Sequence, residues 1–155
     1  MKGFILNEGG FVTYPFEVFK HIEEYVKSLR WKINPHEHNG HFNHNILPFD
    51  DSNNQFIDGE TLYLMLEQYS DVQWIWGVLS GFPNEVSWEE IIENSKEYDI
   101  TEEHPFLNCG LKYIENKAVF ELIAMDSSRT IILIDDEKVQ DELLEYFPKS
   151  EKLYI

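Results

Sequence analysis

The feature that most constrains this chain is a succession of short apolar runs near its C-terminus, joined by very few residues. Residues 111–115 are followed by Asn116 and Lys117, then by the run 118–125, and after Asp126-Ser127-Ser128-Arg129 by the run 130–134. Such runs, rich in Val, Ile, Phe and Leu, suit strands. Asp and Ser supply turn chemistry between them. A parallel crossover needs about a dozen residues, so strands joined this tightly are antiparallel and predict a three-stranded meander. A helix is predicted to follow: Asp135 and Asp136 suit its positive N-terminal end, Val139, Leu143, Tyr146 and Phe147 form its inner face, and Pro148 stops it.

Helices dominate the earlier part. Residues 4–6 predict a first strand. Pro15 suits the first turn of a helix that carries Phe16, Phe19, Ile22, Val26 and Leu29 at spacings of three and four. Residues 30–34 alternate, with Trp31 and Ile33 on one side, and read as a strand. Asp58 is a predicted N-cap for a helix with Leu62, Met65, Leu66 and Tyr69 on one stripe. In residues 72–79, Val72, Trp74, Trp76 and Val78 fall on one face and Ile75 and Leu79 on the other, which predicts a central strand covered on both sides. Ser87-Trp88-Glu89-Glu90 is a capping box for a third helix whose buried side is Ile91 and Ile92. Residues 34–54, rich in His, Asn, Asp and Pro, form the one long irregular stretch. Together these elements predict an α+β fold: a mostly antiparallel sheet with about four helices packed mainly on one face, and a C-terminal three-stranded meander followed by a helix. The 155 residues suit a single domain spanning 1–155.

Charge narrows the partners. The formal net charge is −17, of which −2 lies in residues 1–57 and −15 in residues 58–155. That balance excludes nucleic acid and anionic membrane surfaces as natural partners. The lone cysteine, Cys109, precludes an internal disulfide and suits a reducing compartment. The apolar run at the N-terminus, Phe4-Ile5-Leu6, is three residues, short of the roughly seven of a secretory segment, and no stretch approaches the roughly 20 of a membrane span. The expected location is cytoplasmic.

Few residues suggest chemistry. Four of the six histidines lie in His36-Glu37-His38-Asn39-Gly40-His41-Phe42-Asn43-His44. Imidazole is the commonest metal ligand, so His36, His38 and His41 are the alternative reading, a metal-binding protein or metal-dependent enzyme. The H-x-H-x-x-H spacing resembles the metal motif of the metallo-β-lactamase superfamily, where Asp precedes the last histidine; here Gly40 does. Histidines of a solvated loop making local hydrogen bonds are the preferred account, with no residue assigned to metal, catalysis or cofactor. Asp50 and Asp51 lack the central glycine of a calcium loop and read as a polar turn. Cys109 and His104 have no third orienting group, and Cys109 reads as a small buried hydrophobe. Trp74 and Trp76, two apart on a strand, would lie side by side, as core or as walls of an aromatic pocket. Glu85, Glu89, Glu90, Glu93, Glu97, Asp99, Glu102 and Glu103 are mostly non-core positions, a solvated face or a docking surface for a basic partner.

The Trp31-Lys32-Ile33 strand after a first helix, the aromatic strand Gln73-Trp74-Ile75-Trp76 and the meander between Cys109 and Ile134 resemble small acidic bacterial proteins of unknown function. In size, acidity and α+β character the chain is also similar to bacterial immunity proteins, which neutralise toxin domains. The net charge of −15 after residue 57 and the lack of a catalytic constellation lead to the expectation of a non-enzymatic, acidic interaction protein that binds a basic protein partner and needs no cofactor, with an immunity-like or antitoxin-like role as its most concrete version.

Overall fold

Two β-branched runs organise the sheet. In the computed structural model, which describes residues 2–6, 13–34, 37–39, 53–97 and 112–153, strands β6 (Phe120–Met125) and β7 (Arg129–Ile134) form a tight hairpin. Asp126 and Ser127 both adopt left-handed backbone, φ 50° and 54°, which matches the right-handed twist of the flanking strands. The N-terminal strand β1 (Lys2–Leu6) pairs antiparallel with the far side of β7, and β8 (Glu151–Leu153) adds to β1. On the other side of β6 lies β5 (Gln73–Pro83), then β2 (Leu29–Ile33), then β4 (Gln55–Asp58), all antiparallel. The order β4-β2-β5-β6-β7-β1-β8, with β3 (Glu37–Asn39) pairing the first half of β5, accounts for the eight strands among the described residues.

The fold is α+β with a mostly antiparallel sheet, and of the expected C-terminal meander the β6–β7 hairpin is present and leads into a helix. One member differs from expectation. Residues 112–115 are not a strand; the N–H groups of Ile114 and Glu115 bond to a side chain, the Glu121 carboxylate, instead of a neighbouring strand. The segment therefore lies over the sheet rather than inside it.

The tryptophan strand departs from simple alternation. His38 pairs with Trp74 and Glu37 with Trp76, so Ile75 is the extra residue of a bulge. The Ile75 carbonyl accepts from Ser127 N–H at 3.1 Å, which ties the bulge to the β6–β7 turn. An added residue reverses the sides downstream. Trp74 consequently joins the main core with Val72 and Leu79, while Trp76 packs on the opposite face beside Val78. They do not stand side by side.

Five short helices occupy the described residues. Residues 15–29, predicted as one helix, form α1 (Pro15–Phe19) and α2 (Glu23–Lys27), after which Leu29 opens β2. The break tightens into bonds three residues apart, Ile22 N–H to Phe19 O at 3.0 Å, and Ile22 sits at φ −133°, ψ 37°. It seats the His21 ring on Tyr146, centroids 3.7 Å apart. Helix α3 (Gly59–Gln68) is capped by Asp58, which accepts from Thr61 N–H at 2.9 Å. Helix α4 (Trp88–Glu93) opens on the full Ser87–Glu90 capping box, and α5 (Glu137–Tyr146) on Asp136. Both caps satisfy N–H groups that a helix start leaves unbonded.

Four helices, α1, α2, α3 and α5, contribute Val18, Phe19, Val26, Leu62, Leu66, Val139 and Leu143 to one core with Phe4, Trp31, Leu79, Phe120, Leu122 and Ile132 of the sheet. Each such side chain stabilises by about 1.5–3 kcal/mol. The outer face carries smaller clusters: Val78, Ile123, Ile131 and Leu133 under Tyr113 and Ile114, and Phe82, Val86 and Ala118 under Ile91 of α4. Ile92, predicted buried, is 52% exposed, because this six-residue helix rests on the outer-face cluster through Trp88 and Ile91, which leaves Ile92 facing outward.

Candidate functional site

Three polar residues sit in register on the outer face of the central strands. Lys32 on β2 lies opposite Ser80 on β5, and Ser80 opposite Glu121 on β6; Phe56 and Leu133 continue the row on either side. In a sheet covered on both faces these side chains have nowhere to reach water, and all three are fully buried, with Glu115 above them.

Each charge is met. The Lys32 ammonium bonds the Glu115 carboxylate and donates to the Lys96 carbonyl at 2.7 Å. Glu115 Oε2 accepts from Lys96 N–H at 3.4 Å. Glu121 Oε1 accepts from the Ser80 hydroxyl and Glu115 N–H, both at 3.0 Å, and Oε2 from Ile114 N–H at 2.9 Å. The node thus ties residues 114–115, and the stretch after α4 at Lys96, to three strands.

Burial governs its protonation. It pushes Glu121 up to about 7, against the pull of the Glu115 and Ile114 N–H groups and the Ser80 hydroxyl, with the Glu115 carboxylate adding to the rise. Burial also lowers Lys32, while Glu115, Glu121 and Glu97 hold its ammonium in place. Tyr113 is driven well above the usual phenol range, first by burial and then by Asp135, and its hydroxyl donates to Val119 O at 2.8 Å. This arrangement holds protons and anchors a segment.

Lys32, Glu115 and Glu121 escape detection by strand alternation, which sets Lys32 opposite Trp31 and Ile33 and so on the solvent side. A signal existed: the two-sided apolar pattern of residues 72–79 implies a covered outer face, and a Glu within Ala118-Val119-Phe120-Glu121-Leu122-Ile123 then has no solvent to face.

The second candidate is the set of helices, four on one face of the sheet and α4 on the other. The five helices carry twelve Asp or Glu against two Lys, and none of the twelve is buried, whereas the eight strands carry four acidic and five basic residues. Glu85, Glu89, Glu93 and Glu97 are exposed as expected, and Glu90 pairs with Lys117 at 2.9 Å while completing its capping box.

Of the metal alternative, His38 lies on β3 opposite Trp74, while His36 and His41 lie outside the described residues, as do His44, Asp50, Asp51, Asp99, Glu102, Glu103, His104 and Cys109. Among the described residues no three His, Cys, Asp or Glu side chains are grouped to hold a metal ion. Nor, among them, is any helix long and apolar enough to cross a membrane. Compared with protein-family models, with curated proteins and with solved structures, the chain matches none.

Proposed function

We propose that the protein is a non-enzymatic binding module of the bacterial cytoplasm, immunity-like or antitoxin-like, whose carboxylate-rich helices receive a basic protein partner. The observation that carries this reading is the segregation of charge: the helices hold a net −10 while the strands are within one charge of neutral. The helices thus supply −10 of the formal −17, on outward-facing side chains, and the buried sheet supplies none of it. A field of one sign over such a surface accelerates encounter with an oppositely charged partner and repels wrong ones, and it weakens with salt. Exposed apolar side chains on the same layer, Leu64 on α3 and Tyr146 on α5, offer desolvated contact among the carboxylates.

The test is capture from the native host with tagged protein at low salt, followed by binding measurements on the recovered partner. The expected partner is basic, its affinity falls steeply as salt rises, and reversing Asp141 and Glu145 on α5 to Lys weakens it at least tenfold. Recovery of no basic protein at adequate depth, or binding indifferent to both salt and charge reversal, rejects the proposal.

A further inference from the structure

We propose that the Lys32–Glu115–Glu121 node is a proton-held latch: one proton shared with its two carboxylates keeps residues 112–117 on the outer face of the sheet, and losing that proton loosens them. The argument begins with a charge count. Two carboxylates and one ammonium are sequestered together, each 0–2% exposed. Fully ionised, the node carries one uncompensated negative charge away from water, which is the costly state. With one carboxyl protonated, the node is neutral.

Glu121 is the member that keeps the proton. Lys32 bonds Glu115 directly, whereas Glu121 meets only neutral donors: Ser80 from β5, and Ile114 and Glu115 N–H from the overlying segment. The other groups facing it leave the sign unchanged. The Glu115 carboxylate opposes a second negative charge, and the Tyr113 phenol stays neutral beside Asp135. Lys32 from β2 favours ionisation but is already engaged by Glu115 and attracted by Glu97.

The cover over Glu121 is the segment itself, since two of its three donors are backbone groups of residues 114 and 115. Opening the segment returns the carboxyl to water and to its ordinary value. The closed state therefore binds the proton more tightly, and by linkage rising pH favours opening. With about 7 closed and 4.5 open, the opening constant rises about 30-fold between pH 5.5 and 8.5. Opening uncovers the apolar strip of Val78, Ile123 and Leu133 that Tyr113 and Ile114 shield.

Amide hydrogen exchange of the full chain, corrected for intrinsic rates, reads this directly. The expected result is that protection of Ile114 and Glu115 falls about 30-fold from pH 5.5 to 8.5 while that of Leu122, inside β6, changes less than threefold, and that Glu121→Gln abolishes the dependence. Protection at Ile114 and Glu115 that varies less than threefold, or a dependence retained in Glu121→Gln, overturns the latch. Titration of the Glu121 side-chain carbon in the unmodified protein guards against a variant that fails to fold: a midpoint near 7 supports the latch, and one within a unit of 4.5 overturns it.

Discussion

Replacing Lys32 by Met tests the node as an energetic unit. Met fills most of the volume of the lysine stem but supplies no donor, so Glu115 is left buried without its ammonium and the Lys96 carbonyl without its partner. Breaking a buried ion pair by removing one member costs about 3–5 kcal/mol. The double variant Lys32→Met/Glu115→Gln removes both charges and keeps an amide oxygen for Lys96 N–H. It should lie only about 1–2 kcal/mol below the unmodified protein, so that a coupling of about 2–3 kcal/mol emerges from the cycle. Urea unfolding followed by fluorescence of the four tryptophans gives each corner of the cycle, with constant m-values as the check on two-state behaviour. A Lys32→Met loss under about 1 kcal/mol at pH 8, or a double variant as destabilised as the sum of its singles, refutes this account of the node.

Glu121 also contributes to the pH dependence of global stability: its value is raised in the fold, so its contribution is fully present below 4.5 and lost as pH rises through 7, a fall of about 2.5 kcal/mol between pH 5 and 8; denaturation at those two pH values, compared between the unmodified protein and Glu121→Gln, separates it from the opposing contribution of His21, which burial lowers. Gly59→Ala should cost about 2–3 kcal/mol or more, seen as a melting temperature lowered by roughly 5–10 °C, because its Cβ would stand 2.2 Å from Val26 O, 2.7 Å from Leu29 O and 2.8 Å from Lys27 O, all backbone atoms. Ser127→Gly should stabilise by about 0.5–1 kcal/mol, since φ 54° strains any side chain while the bonds made there use only the Ser127 backbone; a lower denaturation midpoint counts against it. Asp58→Ala should lose about 1 kcal/mol by removal of the α3 cap, measured the same way.

What the sequence disclosed follows the range of the forces involved. Caps are local chemistry: Asp58, Ser87 and Asp136 each accept the helix-start N–H that their residue type predicts. Strand identity at residues 29–33, 73–83, 120–125 and 129–134 is equally legible, because β-branched and aromatic runs have little other use. The failures depend on distant partners. Trp74 and Trp76 part company because β3 and the β6–β7 turn force a bulge between them. The helix predicted from Pro15 breaks where His21 reaches Tyr146, 125 positions away. Residues 112–115 have the composition of a strand, yet Glu121 draws their N–H groups onto the face of the sheet.

The same distant contacts give the buried charges a structural use that apolar residues would lack. A one-residue slip of β2 against β5, or of β5 against β6, would turn Lys32 or Glu121 into the aromatic core now held by Trp31, Phe19 and Phe120. An ionised group there would have no partner, and that slipped register would cost several kcal/mol relative to the native one. An all-apolar row would slip at little cost, since both faces of these strands are covered by hydrophobic side chains. The Lys32–Ser80–Glu121 row thus fixes the register of the three central strands, and Glu115, by closing over it, fixes where residues 112–117 lie. Register selection and the proton latch draw on one property, the cost of leaving these charges uncompensated, which is why a single substitution at Lys32 is expected to disturb both.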